Sequence, residues 1–272
     1  FVSRRPLGAV GAAMATITIL LAVGAPLLAS YDPLEILLGK WFMPPGQEFL
    51  LGTDNLGRDQ LSRLMYGARI SLYVGFLSVI FGTTTGAVIG VISGFVGGAF
   101  DLVVQRIIDV VMGFPLMVLA LAIVAVMGPS TNNTIVAIAV VFVPDGVRIL
   151  RSSALVVKEN LYIEAARAMG ASRWRIVFYH VVPQCVAPYI VLASAALAWA
   201  VIVEATLSFL GMGTPPPTPS WGNMLAGDAR LYAEKAPWMA ISPGIAISVL
   251  AFSINMFGDA LRDELDPRLR RM

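Results

Sequence analysis

Charged side chains in this chain are separated by long apolar runs. No Asp, Glu, Lys or Arg occurs over residues 6–31, 70–100 or 110–144, runs of 26, 31 and 35 residues. Two further runs cover 176–203 and 236–258, with 28 and 23 residues. A helix needs about 20 residues to cross the hydrocarbon core of a bilayer. The run over 110–144 carries Gly-Pro-Ser-Thr-Asn-Asn at 128–133, a turn signal, so it divides into two helices in a tight hairpin. The second of these must continue past Pro144 to near Arg151 to be long enough. The pattern predicts six spans, at roughly 7–29, 70–95, 104–127, 134–151, 186–211 and 238–258. The runs do not alternate as barrel strands do, and unpaired backbone groups in lipid demand helices.

Composition agrees. Hydrophobic residues make up 57% of the 272 positions and charged residues 13%, with a mean hydropathy of +0.79. A soluble domain has about 45–50% apolar and about 25% charged residues. A disordered chain is excluded, and a soluble enzyme does not fit. The net charge of +2 gives no footprint for a nucleic acid. One cysteine, Cys185, rules out an intrachain disulfide, and with the single His180 it rules out the usual His/Cys zinc sites. The chain starts at Phe1, so a start Met and a short leader are expected upstream. The first run follows Arg4 and Arg5, lacks a small-residue cleavage site and is longer than a signal-peptide core, so it reads as a retained span.

Lys and Arg set the expected orientation. With the N-terminus inside, thirteen fall on the inner side: Arg4, Arg5, Arg106, Arg148, Arg151, Lys158, Arg167, Arg173, Arg175, Arg262, Arg268, Arg270 and Arg271. Six fall outside: Lys40, Arg58, Arg63, Arg69, Arg230 and Lys235. This bias predicts both termini in the cytoplasm. The expected fold is all-α, a polytopic membrane protein with six transmembrane helices forming one domain over 1–272. Residues 30–69 and 212–237 form outer segments, and 152–185 an inner loop. Thr-Pro-Pro-Pro-Thr-Pro at 214–219 is expected to be extended and stiff.

Enzyme chemistry is hard to find. Lys40, Lys158 and Lys235 are the only lysines and none precedes Ser or Thr, so the chain has no P-loop. No G-x-S-x-G or H-E-x-x-H occurs, and no acidic pair lies in a span. Transport, channel and scaffold functions remain. A self-sufficient channel or secondary transporter usually shows internal repeats and polar groups at mid-membrane. No clear repeat is visible here. A non-transporting membrane scaffold is the other alternative.

The inner loop has a helix–turn–helix pattern. Asn160 is a candidate N-cap for a helix over 161–169, Gly170 can end it in a left-handed conformation, and Ser172 can cap a second short helix that Pro183 follows. Ala165 and Ala166 offer a low surface to another protein. Glu164 and Arg167, three apart, can pair or meet a partner. A rival reading is an amphipathic hairpin on the lipid surface, anchored by Trp174, Phe178 and Tyr179.

Other positions stand out. Gly82, Gly86, Gly90, Gly94 and Gly98 recur every four residues, a face that suits close helix packing or a sliding surface. Glu204 is the one ionisable residue deep in a predicted span. With Phe209 it is a candidate for a pathway lining or gate; the alternative is a hydrogen bond to a neighbouring helix. Asp145, Arg148 and Arg151 are expected at the inner end of span four, snorkelling to the interface, with Pro144 and Gly146 as a possible kink. Asp54, Arg58, Asp59 and Arg63, interleaved with Leu56, Leu61, Leu64 and Met65, predict an amphipathic helix on the outer surface. Asn132-Asn133-Thr134 matches a glycosylation triplet but reads better as helix capping.

Glu164-Ala165-Ala166, three residues, Gly170 and the closing Val182-Pro183 resemble the EAA motif of permease subunits in bacterial ABC importers. His180 and Val182 depart from that motif, where Ile and Leu are common. The stretch Leu-Gly-Thr-Asp-Asn-Leu-Gly-Arg-Asp-Gln-Leu-Ser-Arg-Leu-Met-Tyr-Gly-Ala-Arg-Ile-Ser-Leu at 51–72, with Leu-Ser-Phe-Leu-Gly-Met-Gly at 207–213, Pro-Ser-Trp-Gly-Asn-Met at 219–224 and Asp-Pro-Arg-Leu-Arg at 266–270, is similar to the dipeptide/oligopeptide/nickel group, and within it to the second, "C"-type subunit. The resemblance implies the type I importer permease fold in the bacterial inner membrane. It implies a homologous second permease, two ATP-binding subunits carrying ATP and Mg, and an extracytoplasmic solute-binding protein, with no cofactor in this chain. It also implies that Tyr162, Glu164, Ala165, Ala166, Arg167, Met169, Gly170, Ala171 and Arg173 form the ATPase-coupling loop. Members of the group carry dipeptides, oligopeptides, glutathione, nickel chelates and some sugars.

Overall fold

The computed structural model describes residues 6–265. The inner-side charges Arg4, Arg5, Arg268, Arg270 and Arg271, and the motif at 266–270, lie outside them. Among the described residues the structure is helical, and an isolated bridge between Thr53 and Asp59 is the one strand-like pairing. The helices in chain order are α1 (Pro6–Val23), α2 (Ala25–Leu28), α3 (Gln60–Val96), α4 (Gly98–Met112), α5 (Leu116–Met127), α6 (Thr131–Lys158), α7 (Leu161–Ala168), α8 (Arg173–Ile176), α9 (Val182–Phe209), α10 (Trp221–Leu225), α11 (Asp228–Leu231) and α12 (Trp238–Leu265). A π turn, Val177–Val181, joins α8 to α9 into one continuous helical rod.

Five of these rods are long and apolar enough to cross a membrane, and a bent pair supplies a sixth span. That pair is α4 and α5, which meet at 88°. The expected straight helix over 104–127 is therefore broken. Pro115, which has no N–H and disfavours a helical residue before it, sits in the break with Gly113 and Phe114.

The predicted outer amphipathic helix is also corrected. Asp54 and Arg58 lie in a folded loop, and α3 starts ten residues before the predicted span, at Gln60. The Asp59 carboxylate caps it, accepting from Ser62 N and Oγ at 2.7 Å each. Asp54, Asp59 and Arg63 are all buried. Asp54 accepts from Arg58 Nε at 2.6 Å, and Arg63 Nη1 donates to the Pro33 carbonyl at 3.1 Å. These charges knit the 30–59 segment to α3 rather than facing solvent.

The same end is tied to α12. Pro243 cannot donate the backbone bond that the Met239 carbonyl would otherwise accept. Gln60 Nε2 donates to that carbonyl at 3.2 Å instead, and Trp238 Nε1 donates to Thr53 O at 3.0 Å. The proline run at 214–219 is not extended: it turns at a cis Pro216–Pro217 bond. Asn133 does cap, by donating Nδ2 to the Met127 and Gly128 carbonyls at 2.9 Å each, while Ser130 Oγ accepts from Asn133 N as the N-cap of α6.

The core is built on α3 and α6. Gly82, Gly86, Gly90 and Gly94 form one seam along α3, and each faces the α6 backbone. A Cβ on Gly86 would stand 2.8 Å from Gly146 Cα, and one on Gly94 would stand 2.8 Å from the Arg151 carbonyl. Only hydrogen at these positions lets the two backbones touch. Gly98 leaves this seam and forms the link to α4 with Gly97, both at positive φ.

Candidate functional site

The EAA-type segment folds as the helical hairpin that its pattern predicts, with differences that matter. Asn160 takes the N-cap backbone position of α7, but its amide turns back and donates to the Val157 carbonyl at 3.1 Å, finishing α6. Gly170 is left-handed, with φ +81°, and ends α7. Ser172 Oγ accepts from Arg175 N at 3.3 Å as the cap of α8. Pro183 does not stop the second helix. It lacks the N–H that the Tyr179 carbonyl needs and its ring crowds that carbonyl, so the helix widens by one residue. Val182 N donates to Val177 O, a five-residue step, and the rod continues into α9.

The hairpin sorts the nine predicted coupling residues into distinct environments. Ile163 and Ala166 are buried against Phe95, Val157, Ile176 and Val177, so Ala166 faces the chain's own core and not a partner. Tyr162, Glu164, Ala165 and Met169 are exposed, and with them Leu161. Leu161 is 81% and Met169 83% exposed, two large apolar side chains at one end of the bundle. Gly170 and Ala171 form the turn. Arg167 and Arg173 line a cleft beneath it. Arg167 lies over the Phe95 ring, 5.8 Å from its centroid, and no ion pair joins it to Glu164 among the described residues. Lys158 lies over the same ring at 5.9 Å, so two cations clasp the end of α3.

Glu204 is fully buried. Its carboxylate accepts from Ser71 Oγ on α3 at 2.8 Å and from Ser208 Oγ one turn along α9 at 2.7 Å. Trp221 N on α10 donates to Ser71 Oγ at 3.4 Å, and Thr214 N donates to Ser208 Oγ at 3.3 Å. The side chain is a hydrogen-bond hub between α3, α9 and the 212–237 segment. Of its two readings the geometry supports the structural one. Phe209, by contrast, lines a cleft of about 240 Å³ that also holds Asn55, Arg58, Arg63 and Asp228.

The full length of this chain matches known proteins. A family model described as the binding-protein-dependent transport system inner membrane component covers residues 86–271. A dipeptide transport system permease protein of Escherichia coli strain K12 is 41% identical over 268 residues, 96% of this chain and 89% of that protein. The chain belongs to this permease family. A dipeptide permease of Alkalihalophilus pseudofirmus is 41% identical over 98% of this chain and 88% of its own length. A glutathione permease of Pectobacterium atrosepticum is 42% identical over 83% of this chain and 75% of its own. In fold, the permease is similar to a chain of the inward-facing MetNI methionine ABC transporter, with a TM-score of 0.62, 21% identity and coverage of 75% and 96%. It is a multi-pass inner-membrane component with the fold of an ABC importer permease.

The charges expected at the inner end of span four separate into two environments in this permease, and a further carboxylate joins them. Asp145 is exposed. It lies in the middle of α6, fourteen residues from Thr131 and thirteen from Lys158. Its neighbour Gly146 abuts Gly86, close to the middle of the charge-free run of α3. Asp145 opens a run of charges that continues with Arg148 and Arg151, six residues or about 9 Å further along α6 at 1.5 Å per residue. Asp109 on α4, not singled out in the sequence, accepts from Arg148 Nη2 at 2.7 Å, with both side chains nearly half exposed. Asp145, Arg148 and Ser152 form an exposed polar stripe on α6, on the face away from the glycine seam. Arg151 instead donates Nε and Nη2 to Asp101 at 2.6 Å each, fastening α4 to α6.

Proposed function

We propose that this chain is one half of the membrane pathway of an ATP-driven importer for di- and oligopeptides. The observation that carries this is near-complete coverage at 41% identity by relatives named as dipeptide permeases. In this reading the whole chain acts as a single permease domain with both termini in the cytoplasm. A homologous second permease, two ATP-binding subunits that hold ATP and Mg, and an extracytoplasmic solute-binding protein complete the importer.

The hairpin of α7 and α8 is the coupling element in this proposal. Its outward face, Leu161, Tyr162, Glu164, Ala165 and Met169, is uncovered and half apolar, which suits a protein groove better than water. The pathway wall is the polar stripe Asp145, Arg148 and Ser152 on α6. Charges at that depth are expensive against lipid and belong on a water-filled path. The buried Glu204 braces α3 against α9 elsewhere in the bundle, at Ser71.

The test is reconstitution of the complete importer in proteoliposomes with its own binding protein. ATP-dependent uptake of labelled di- and tripeptides, glutathione among them, is the expected result. ATP turnover stimulated by the loaded binding protein with no uptake of any peptide would overturn the substrate reading.

A further inference from the structure

The cleft beneath the coupling hairpin has a composition that neither docking nor transport explains. Its volume is about 540 Å³, and its charged lining residues are Lys158, Arg167 and Arg173, three cations with no acid. None of the three forms an ion pair among the described residues. Ile92, Trp174 and Val177 form its floor. Those three residues also belong to a second groove, of about 250 Å³, that runs on between α3 and α9. Its further lining includes Val88, Val91, Phe178, Val186 and Tyr189. The groove reaches Thr84, eight residues along α3 from Ile92, about 12 Å at 1.5 Å per residue, and closes where Thr84 and Tyr189 share a hydrogen bond of 2.7 Å.

A basic pocket opening into an apolar channel matches one class of molecule. The pocket lies where the charge-free run over 176–203 begins and that over 70–100 nears its end, and Trp174 and Phe178, both exposed and stacked with centroids 6.2 Å apart, are aromatics of the kind that sit at membrane interfaces. Unpaired cations between membrane helices at such a level attract anionic headgroups. We propose that the cleft and groove together hold one anionic phospholipid of the surrounding bilayer, its phosphate on Lys158, Arg167 and Arg173 and an acyl chain along α3 and α9. The site joins α6, α7, α8, α9 and the end of α3, so a bound lipid would set the seat of the coupling hairpin.

The experiment uses the importer purified with its partners from nanodiscs of either phosphatidylglycerol or phosphatidylcholine, and native mass spectrometry of the released complex. One phosphatidylglycerol per copy of this chain should persist, and phosphatidylcholine should not. Lys158→Gln with Arg173→Gln should reduce that occupancy at least tenfold. Val88→Trp, which fills the groove at an exposed position and changes no charge, should reduce it too. Equal retention of the two lipids, or retention unchanged in both variants, would overturn the proposal. Displacement of the bound mass by millimolar inorganic phosphate would show a free-anion site and also overturn it. Loss of the ATP-binding subunits from the double variant with lipid occupancy intact would assign the cations to a protein contact instead.

Discussion

Glu204→Ala removes a hub, and the structure says how much that should cost. The carboxylate accepts from Ser71 and Ser208, on two different helices, at 2.8 and 2.7 Å. Each hydroxyl left without its acceptor costs about 1–3 kcal/mol, and less where it can turn back to a carbonyl of its own helix. The void left by a fully buried side chain adds about 2–5 kcal/mol as in other large-to-small core changes. The variant should therefore lose about 3–6 kcal/mol, mostly from the void. Glu204→Gln keeps the volume, one acceptor oxygen and an NH₂ that a rotated serine hydroxyl accepts, so its cost should stay below about 1.5 kcal/mol. Thermal stability of the detergent-solubilised complex, read by fluorescence-detected gel filtration, separates the two. The expected order is wild type, then Gln close behind, then Ala well below, with uptake following stability. An Ala variant as stable as wild type but unable to transport would refute the bracing role and restore the gate.

Two further outcomes test the other assignments. Ala165→Trp should strip the ATP-binding subunits from the affinity-purified complex while the permease stays folded; Ala166→Trp, placed in the hairpin's own core, should instead lower permease yield, and the reverse pattern would show that α7 is rotated in the working protein. Asp145→Cys in a Cys185→Ala background should react with a hydrophilic methanethiosulfonate reagent in the assembled importer, because only a water-exposed thiol ionises readily; an unreactive thiol would move the stripe on α6 from the pathway to a dry interface.

The spans were legible because lipid tolerates so few charges. Four of the six predicted spans follow single rods, 7–29 steps from α1 to α2 at Gly24, and 104–127 is broken. Their ends and breaks were less legible, since composition does not distinguish a charge in water from one buried with a partner. Arg63 and Arg69 read as the outer segment, yet both sit inside α3 because Asp59 starts that helix early. The elbow between α4 and α5 left no mark on hydropathy, and its cause, Pro115, lies within an apolar run. Pro183 was read as a stop, although a π turn lets the helix pass it. Glu204 was visible as an anomaly, but its partner Ser71 is 133 residues away and carries no signal of its own. Asp109 was missed because it borders a charge-free run, where a carboxylate reads as a span end.

The glycine seam and the clasp on Phe95 belong to one mechanical argument. A surface built for sliding needs clearance, and the seam has none: a Cβ on Gly82, Gly86 or Gly90 would stand less than 3.0 Å from an α6 carbonyl oxygen. Bistable interfaces in packed proteins repack through discrete steps, and interlocked backbones resist even these. The pair α3–α6 is therefore packed as one interlocked unit. At its coupling end Phe95 is buried against Ile163 and Ala166 of α7, and Lys158 and Arg167 lie over its ring. In the proposed coupling role a push on the hairpin would bear on the end of α3, which the seam locks to α6. Arg151 fastens α4 to the pair through Asp101, and the 88° break over 113–115 separates α5 from α4. Met112 and Phe114 at that break line one small cavity with the exposed Asp145, so the elbow between α4 and α5 lies beside the exposed charges of α6 and the interlocked seam lies behind them.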